Sequence, residues 1–408
     1  MFVYSTIILH ANLQYAEIPK EDIPRVVENS YIPVLQGILQ QPSLKAALNF
    51  TGVSLEILAS EYPEVIDLLK EGIKNNKFEL TGCGYSHPIF PLLPQIDAKK
   101  QIEFNLEVLK DVLNYKPKGF WPPELAYDPT MPKLLKENGF EYLFFDDELY
   151  NLSSPLRNDY LPTNEPLWTT DHYLAHFSKA KNIFQKINRF YKAYKGIAKL
   201  CNNTDFYPVE LKGVKGTITG LKSPKSWTIL TYSALLGYPL LTEKKVMKTL
   251  SRYKNHKGLV TLYSMDLEFF GYRSYVEGKT VEHSRLINML ERITKLEDVE
   301  LVLPHHYLEQ HKPKEIGYMK TGSWANERNL DIWTKDEDNA KLELLCDEVR
   351  TYFAQLGPDQ IDRELWKLLL LAENSDGRGW MPIAERRLDC FSSALEAIEI
   401  LRKKLGWE

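Results

Sequence analysis

Apolar residues along the first 150 positions fall into two alternating rhythms. Short runs rich in β-branched and aromatic residues read as buried strands: FVYSTIILH (2–10), AALNFTG (46–52), FELTGCG (78–84), KGFWP (118–122) and EYLFFDD (141–147). Between them, PEVIDLLKEGIKNNK and QIDAKKQIEFNLEVLKDVLNY repeat their apolar residues at three- and four-residue spacing, the pattern of amphipathic helices. Such alternation predicts right-handed crossovers and a parallel sheet. From about 171 to 255 the rhythm gives way to a Lys-rich, mostly helical pattern, read as an insertion. It resumes with GLVTLYSMDLEFFG (258–271), the helix VEHSRLINMLERITKL and the strand VELVLP (299–304). Beyond about residue 335 only helical patterns remain. The expected architecture is therefore α/β: roughly seven parallel strands in a barrel-like array over residues 1–308, then a helical region over 309–408.

In a parallel barrel the chemistry gathers where the strands end. The ends here carry His10, Asn12, Cys83, His87, Glu124, Asp146, Asp147, Asp266, Glu268, His305 and His306. Two carboxylates stand out. In GFWPPELAYDP (119–129), Pro122 and Pro123 cannot both donate to a sheet ladder, so the strand stops at Trp121 and the chain turns out with Glu124 at its tip. In LYSMDLEFFGY, Asp266 closes an apolar run inside aromatic surroundings. A helix N-cap or a hydrogen-bonded buried carboxylate would equally fit Asp266. Paired with Glu124 at about 5–5.5 Å, it would make the nucleophile and acid of retaining glycoside hydrolysis.

Composition narrows the partners. With 51 basic and 55 acidic residues the net charge is −4, which gives no electrostatic reason to expect nucleic acid or an anionic membrane. No run of about 18 apolar residues predicts a transmembrane helix. MFVYSTIILH lacks the basic start of a signal peptide, and four widely spaced cysteines form no metal or disulfide pattern, so the cytoplasm is the expected location. Aromatic content of 12% allows stacking platforms for sugar rings as well as ordinary core packing.

Donor-rich segments surround the two carboxylates. HANLQY (10–15) offers His10, Asn12, Gln14 and Tyr15, groups that both donate to and accept from hydroxyls. TGCGYSHPIFPLLP (81–94) brings His87 between glycines and a proline-stiffened run. TGSWANERNLDIW (321–333) offers Trp324 as a stacking residue, and AENSDGRGW (372–380) ends a helix on Asn374 and Asp376, where capping alone would suffice.

The segments HANLQY, GYSHPIFPLLP, GFWPPELAYDP, YSMDLEFFGY and TGSWANERNLDIW, in this order, resemble the five sequence blocks of glycoside hydrolase family 57 over residues 1 to about 390. The resemblance implies a (β/α)7 barrel whose C-terminal helical region contributes to the active site. It also implies retaining hydrolysis or transfer of α-glycosides, with neither cofactor nor metal in the chemistry. Carried over by position, Glu124 is the nucleophile and Asp266 the acid/base. His10, Glu79, His87 and Trp324 align with sugar-site residues, and Asn12, Gln14, Trp121, Glu268 and Asp376 are the further substrate-binding candidates. Much of the family opens on His-x-His-Gln-Pro, whereas this chain has Asn12 at the second histidine. With NLQYAEIP and LAENSDGRGWMPIAERRLD, that departure is most similar to the short archaeal members assigned as α-galactosidases. An enzyme of amylase or 4-α-glucanotransferase type is the alternative.

Two other classes fit the sequence less well. A metal-dependent deacetylase needs an Asp and two His at helical spacing, and His87 has Phe90 and Pro91 three and four residues on. A non-catalytic sugar-binding protein would have no need of both Glu124 and Asp266.

Overall fold

The computed structural model describes residues 2–153, 170–171, 183–274 and 279–407. Its strands are β1 (Val3–Ala11), β2 (Ala46–Phe50), β3 (Phe78–Thr81), β4 (Gly119–Phe120), β5 (Tyr142–Phe145), β6 (Val209–Lys212), β7 (Thr217–Lys222), β8 (Leu259–Asp266), β9 (Val299–Leu301) and β10 (Glu315–Gly317). Parallel ladders run β3–β2–β1–β8 on one side and β4–β5–β7 on the other. Gly82 and Phe120 bridge β3 to β4, and the Thr261 hydroxyl donates to the Lys222 carbonyl between β8 and β7. The ring that results has seven parallel members, in the order β1, β2, β3, β4, β5, β7, β8. β1 is buried almost throughout because helices or neighbouring strands cover both its faces, which is why it reads as an unbroken apolar run.

The seventh member, β7, lies inside the stretch expected to be a mainly helical insertion. Helices Ile183–Asn203 and Lys225–Leu235 do occupy much of that stretch, but TITGLK between them is a barrel strand. Residues 172–182 of the expected insertion lie outside the described residues. The predicted strand at 299–304 is β9, which pairs with the lower part of β1 through Val3–Ser5.

Register sets the level of the site. His10 pairs with Asn49 on one side and with Asp266 on the other, and Asn49 pairs in turn with Thr81. The β1–β8 ladder reaches this alignment through a bulge: Thr6 faces Thr261 but Ile7 faces Tyr263, so Leu262 is skipped. Side chains alternate faces along a strand, so the one-residue slip decides which way Asp266 points. Below this level the barrel is filled by Ile8, Ala47, Tyr142, Phe144, Leu221 and Leu259. Gly82 is required by close packing, since a Cβ there would sit 2.6 Å from the Phe140 ring.

Helices Glu337–Leu356, Arg363–Ala372 and Ala384–Lys404 form a separate apolar core around Cys346, Val349, Leu369 and Ala394. Asp336 and Asp362 cap the first two by accepting from backbone N–H groups. Arg350 joins this unit to the barrel by bonding both Asp97 and Glu373. Among the described residues no helix is long and apolar enough to cross a membrane.

Candidate active site

Glu124 sits where the proline-stiffened turn was expected, and its backbone is strained. Its φ of 57° and the 45° of Leu125 lie in the left-handed region, which side-chain-bearing residues avoid. The turn closes through Leu125 N–H donating to the Pro122 carbonyl at 2.8 Å. Trp324 then clamps the residue twice. Its backbone N–H donates to the Glu124 carbonyl at 3.2 Å, and its indole Nε1–H donates to Oε2 at 2.6 Å. Oε1 takes no hydrogen bond among the described residues. Burial pushes the Glu124 carboxyl up to about 7, against the charge of His87 and the indole hydrogen bond.

Asp266 ends β8 with both oxygens engaged. The Tyr15 hydroxyl donates to Oδ1 at 2.7 Å, and the Arg273 guanidinium donates to Oδ2 at 2.6 Å. The Arg273 guanidinium carbon lies over the Tyr15 ring, 3.8 Å from its centre, and the group also reaches Glu17. Burial raises the Asp266 pKa, while Arg273 and the Tyr15 hydroxyl pull it back.

Two stacked histidines complete the floor, their ring centroids 4.7 Å apart. His10 Nδ1 lies 2.7 Å from Asn49 Oδ1, and Asn49 uses its amide N–H on Thr81, so the oxygen faces the histidine. That arrangement puts the proton on Nδ1 and leaves Nε2, buried and unpartnered among the described residues, as an acceptor. Burial and the neighbouring His87 hold His10 well below its ordinary pKa. His87 differs. Burial lowers it, but the carboxylates of Asp376, Glu124 and Asp266 outweigh that and raise it overall. The pair is therefore one neutral and one more basic ring.

Asp376 is a hub and more than a capping residue. Its Oδ2 accepts from Asn12 Nδ2 at 2.7 Å and lies 3.0 Å from His87 Nδ1, while Oδ1 accepts from the Ala16 N–H. Ser375 adds a hydroxyl bond to the His87 carbonyl at 2.7 Å. The C-terminal unit thus holds His87, whose own φ is 68°, against the β1 loop.

The expected sugar-site residues divide by position. An inner hollow of about 20 Å³ is bounded by His10, His87, Trp121, Glu124, Asp266 and Trp324. It opens onto a cavity of about 420 Å³ that shares Tyr15, Glu124, Met265, Asp266 and Trp324. Asn12, Gln14, Glu79, Glu268 and Asp376 border neither. Asn12 is fully buried, with Nδ2 on Asp376 and Oδ1 accepting from the Gln14 N–H. Gln14 accepts from Asn374. Glu79 points into the barrel below the hollow, bonded by the Tyr142 hydroxyl at 2.5 Å and the His305 N–H at 3.0 Å. Glu268 takes the Tyr31 hydroxyl and the Asn12 N–H. These five brace the site and do not form its wall.

Sequence reasoning passed over Arg273, Asn49 and, apart from the strand-end Asp146, a charged knot beside the cavity. In that knot Arg328 Nε lies 2.8 Å from the Asp146 carboxylate as an ion pair, Nη1 donates to Asp171 at 2.6 Å, and Nη2 donates to Glu148. Arg328→Met leaves Asp146 and Glu148 without their cation, while Asp171 keeps Lys225. Removing one partner of buried ion pairs costs about 3–5 kcal/mol, so chemical denaturation at neutral pH should show a loss of that order. The loss should shrink toward about pH 4, where the stranded carboxylates take up protons.

Comparison with known proteins places the chain in a family. The family profile described as Glycosyl hydrolase family 57 matches residues 2–320. An α-amylase of Pyrococcus horikoshii is 35% identical over 125 residues, 31% of this chain and 20% of its own length. An α-amylase of Pyrococcus abyssi is 24% identical over 315 residues, 77% of this chain and 40% of its own length. The match thus spans between a fifth and two fifths of these curated relatives. The crystal structure of a 4-α-glucanotransferase from Thermococcus litoralis superposes with a TM-score of 0.69 at 17% identity, covering 99% of this chain and 60% of that one. The likeness extends through the C-terminal helices, and the barrel is the (β/α)7 fold. With the profile spanning more than three quarters of its length, the chain belongs to glycosyl hydrolase family 57.

Proposed function

We propose that this protein is a retaining glycoside hydrolase acting on α-glucans, with Glu124 as nucleophile and Asp266 as acid/base. The observation that carries the reading is the convergence of these two carboxylates, from separate strand ends, on one cavity. Glu124 Oε1, held in a strained turn and clamped through its partner oxygen by Trp324, attacks the anomeric carbon. Asp266 protonates the departing oxygen, then deprotonates the water that releases the sugar with its α-configuration kept. His10 Nε2 accepts a hydroxyl of the bound sugar, and His87 supplies a donor beside it.

The α-galactosidase expectation rested on a resemblance to archaeal members, within which Asn12 was the residue expected to contact a sugar hydroxyl. Its amide is engaged with Asp376 and the β1 loop, which removes the physical basis for that contact. The amylase and glucanotransferase names of the relatives point the same way. The test is kcat/KM for maltooligosaccharides and nitrophenyl α-glucoside against nitrophenyl α-galactoside. Preference for the glucosides by about tenfold or more is expected; preference for the galactoside would restore the other specificity.

Arg273 has a defined place in this mechanism. Its ion pair favours the ionised form of Asp266, whereas the first step needs the protonated form. Without the guanidinium, Asp266 should keep its proton to higher pH. In Arg273→Gln the basic limb of the kcat/KM profile should therefore move to higher pH. A residue with only a packing role would lower activity and leave both limbs in place.

A further inference from the structure

The cavity of about 420 Å³ that opens from Glu124 and Asp266 changes character along its length. At the catalytic end its charges are mutually paired: Arg273 with Asp266 and Glu17, and Lys225 with Asp171 at 2.7 Å over the Trp324 ring. Away from that end the wall is mostly apolar: Ile197, Ile229 and Tyr232 come from the helices either side of β7 and Leu236 and Leu241 from the segment after the second helix, with the hydroxyl-bearing Tyr194, Ser233 and Tyr238 among them. Tyr232 points its hydroxyl to Ser274 and leaves its ring for the wall. Sugar subsites need hydrogen-bond partners for every hydroxyl they enclose, because a buried unpaired hydroxyl costs about 1–3 kcal/mol. Branched aliphatic side chains supply none. An apolar wall continuous with a catalytic pair fits an apolar group attached to the reacting sugar.

We propose that the side of the site beyond the scissile bond takes an apolar aglycone, so that the substrate class includes α-glycosides of aliphatic alcohols. The inference rests on the α-glycosidase reading above and refines it: an α-glucosyl group lies over the carboxylates, and the alkyl chain of the leaving alcohol runs along Ile229, Leu236 and Leu241. The overall reaction is hydrolysis. The anomeric C–O bond breaks, Asp266 gives its proton to the alcohol oxygen, and water supplies the hydroxyl and the returning proton.

The test uses methyl, hexyl and octyl α-glucosides, each below its micellar concentration. Calorimetric titration of the full-length Glu124→Gln variant, which holds the site without turning over, gives affinities. Steady-state kinetics of the wild type gives kcat/KM. Burial of each methylene should improve affinity by about two- to fourfold until the wall is covered. Octyl glucoside is thus expected to bind at least tenfold more tightly than methyl glucoside. Leu236→Asn in the same background should reduce that ratio to below threefold. Equal binding of octyl and methyl glucosides, or a ratio that survives Leu236→Asn, overturns the proposal. Wild-type turnover with no chain-length effect overturns it too and leaves the hydrolase reading standing. Chain-length-dependent binding without turnover supports the apolar subsite and counts against the hydrolase reading instead.

Discussion

Glu124→Gln should abolish turnover and, above neutral pH, make the protein more stable. The amide keeps the shape of the carboxyl and its oxygen still accepts the Trp324 indole N–H, but it cannot form the glycosyl ester. The loss in kcat should be at least about a thousandfold, the scale seen when a covalent nucleophile is removed. The stability change follows from linkage. Burial raises the folded carboxyl from 4.5 to about 7, so between those values the folded state keeps a proton that the unfolded state has released. Glu124's contribution to stability is therefore intact below about 4.5 and falls as pH rises through about 7. The neutral amide escapes that penalty. Thermal unfolding at pH 8 should favour the variant by up to about 3 kcal/mol, whereas at pH 4 the two proteins should unfold alike. Activity lost with stability gained is the signature of a group kept for chemistry. Activity lost with stability unchanged at both pH values would mean that the carboxylate is better solvated than the Trp324-walled turn allows.

Asp266→Ala should separate substrates by their leaving groups. A positioned general acid contributes about a hundred- to ten-thousandfold, and most where the departing oxygen is basic. For maltooligosaccharides, whose leaving group is an unactivated sugar hydroxyl, kcat/KM should fall over that whole range. For nitrophenyl α-glucoside, whose phenolate departs without help, glycosylation should fall by less than about tenfold. Equal losses on both substrates would mean that Asp266 does something other than give a proton, such as holding Arg273 and Tyr15 in place.

The parts of the structure legible in the sequence were those with a strong local signal. Strands β1, β2, β5 and β8 are continuous apolar runs because the barrel covers them on both sides, and turn residues bound them. β7 was missed because TITGLK alternates threonine and glycine with apolar residues inside a Lys-rich stretch. Its Gly220 is no loop breaker: a Cβ there would meet the Phe145 ring at 2.6 Å, so the gap in the apolar pattern is a packing requirement of the barrel. At the site, Glu124 and Asp266 were found because prolines and a strand end isolate each of them. Arg273 was passed over because, seven residues past Asp266 in an aromatic loop, it reads as a surface arginine. Only the fold lays it over Tyr15, which comes from the other end of the chain. Asn12 shows the opposite failure. An amide at a strand end looked like a sugar ligand, yet the C-terminal Asp376, 364 residues away, claims it. Long-range partners of that kind leave no local pattern to read.

One measurement bears most directly on the assignment of roles. An α-glucosyl fluoride deactivated by a second ring fluorine forms the glycosyl-enzyme quickly, since fluoride leaves well. It is hydrolysed slowly, because the added fluorine destabilises the oxocarbenium-like transition state. Protein quenched during that interval and digested should show the fluorosugar mass on the peptide containing Glu124, attached through its carboxyl. An adduct on Asp266 would exchange the roles of the two carboxylates. The absence of any adduct, together with first-formed product of β-configuration, would contradict the double-displacement account altogether.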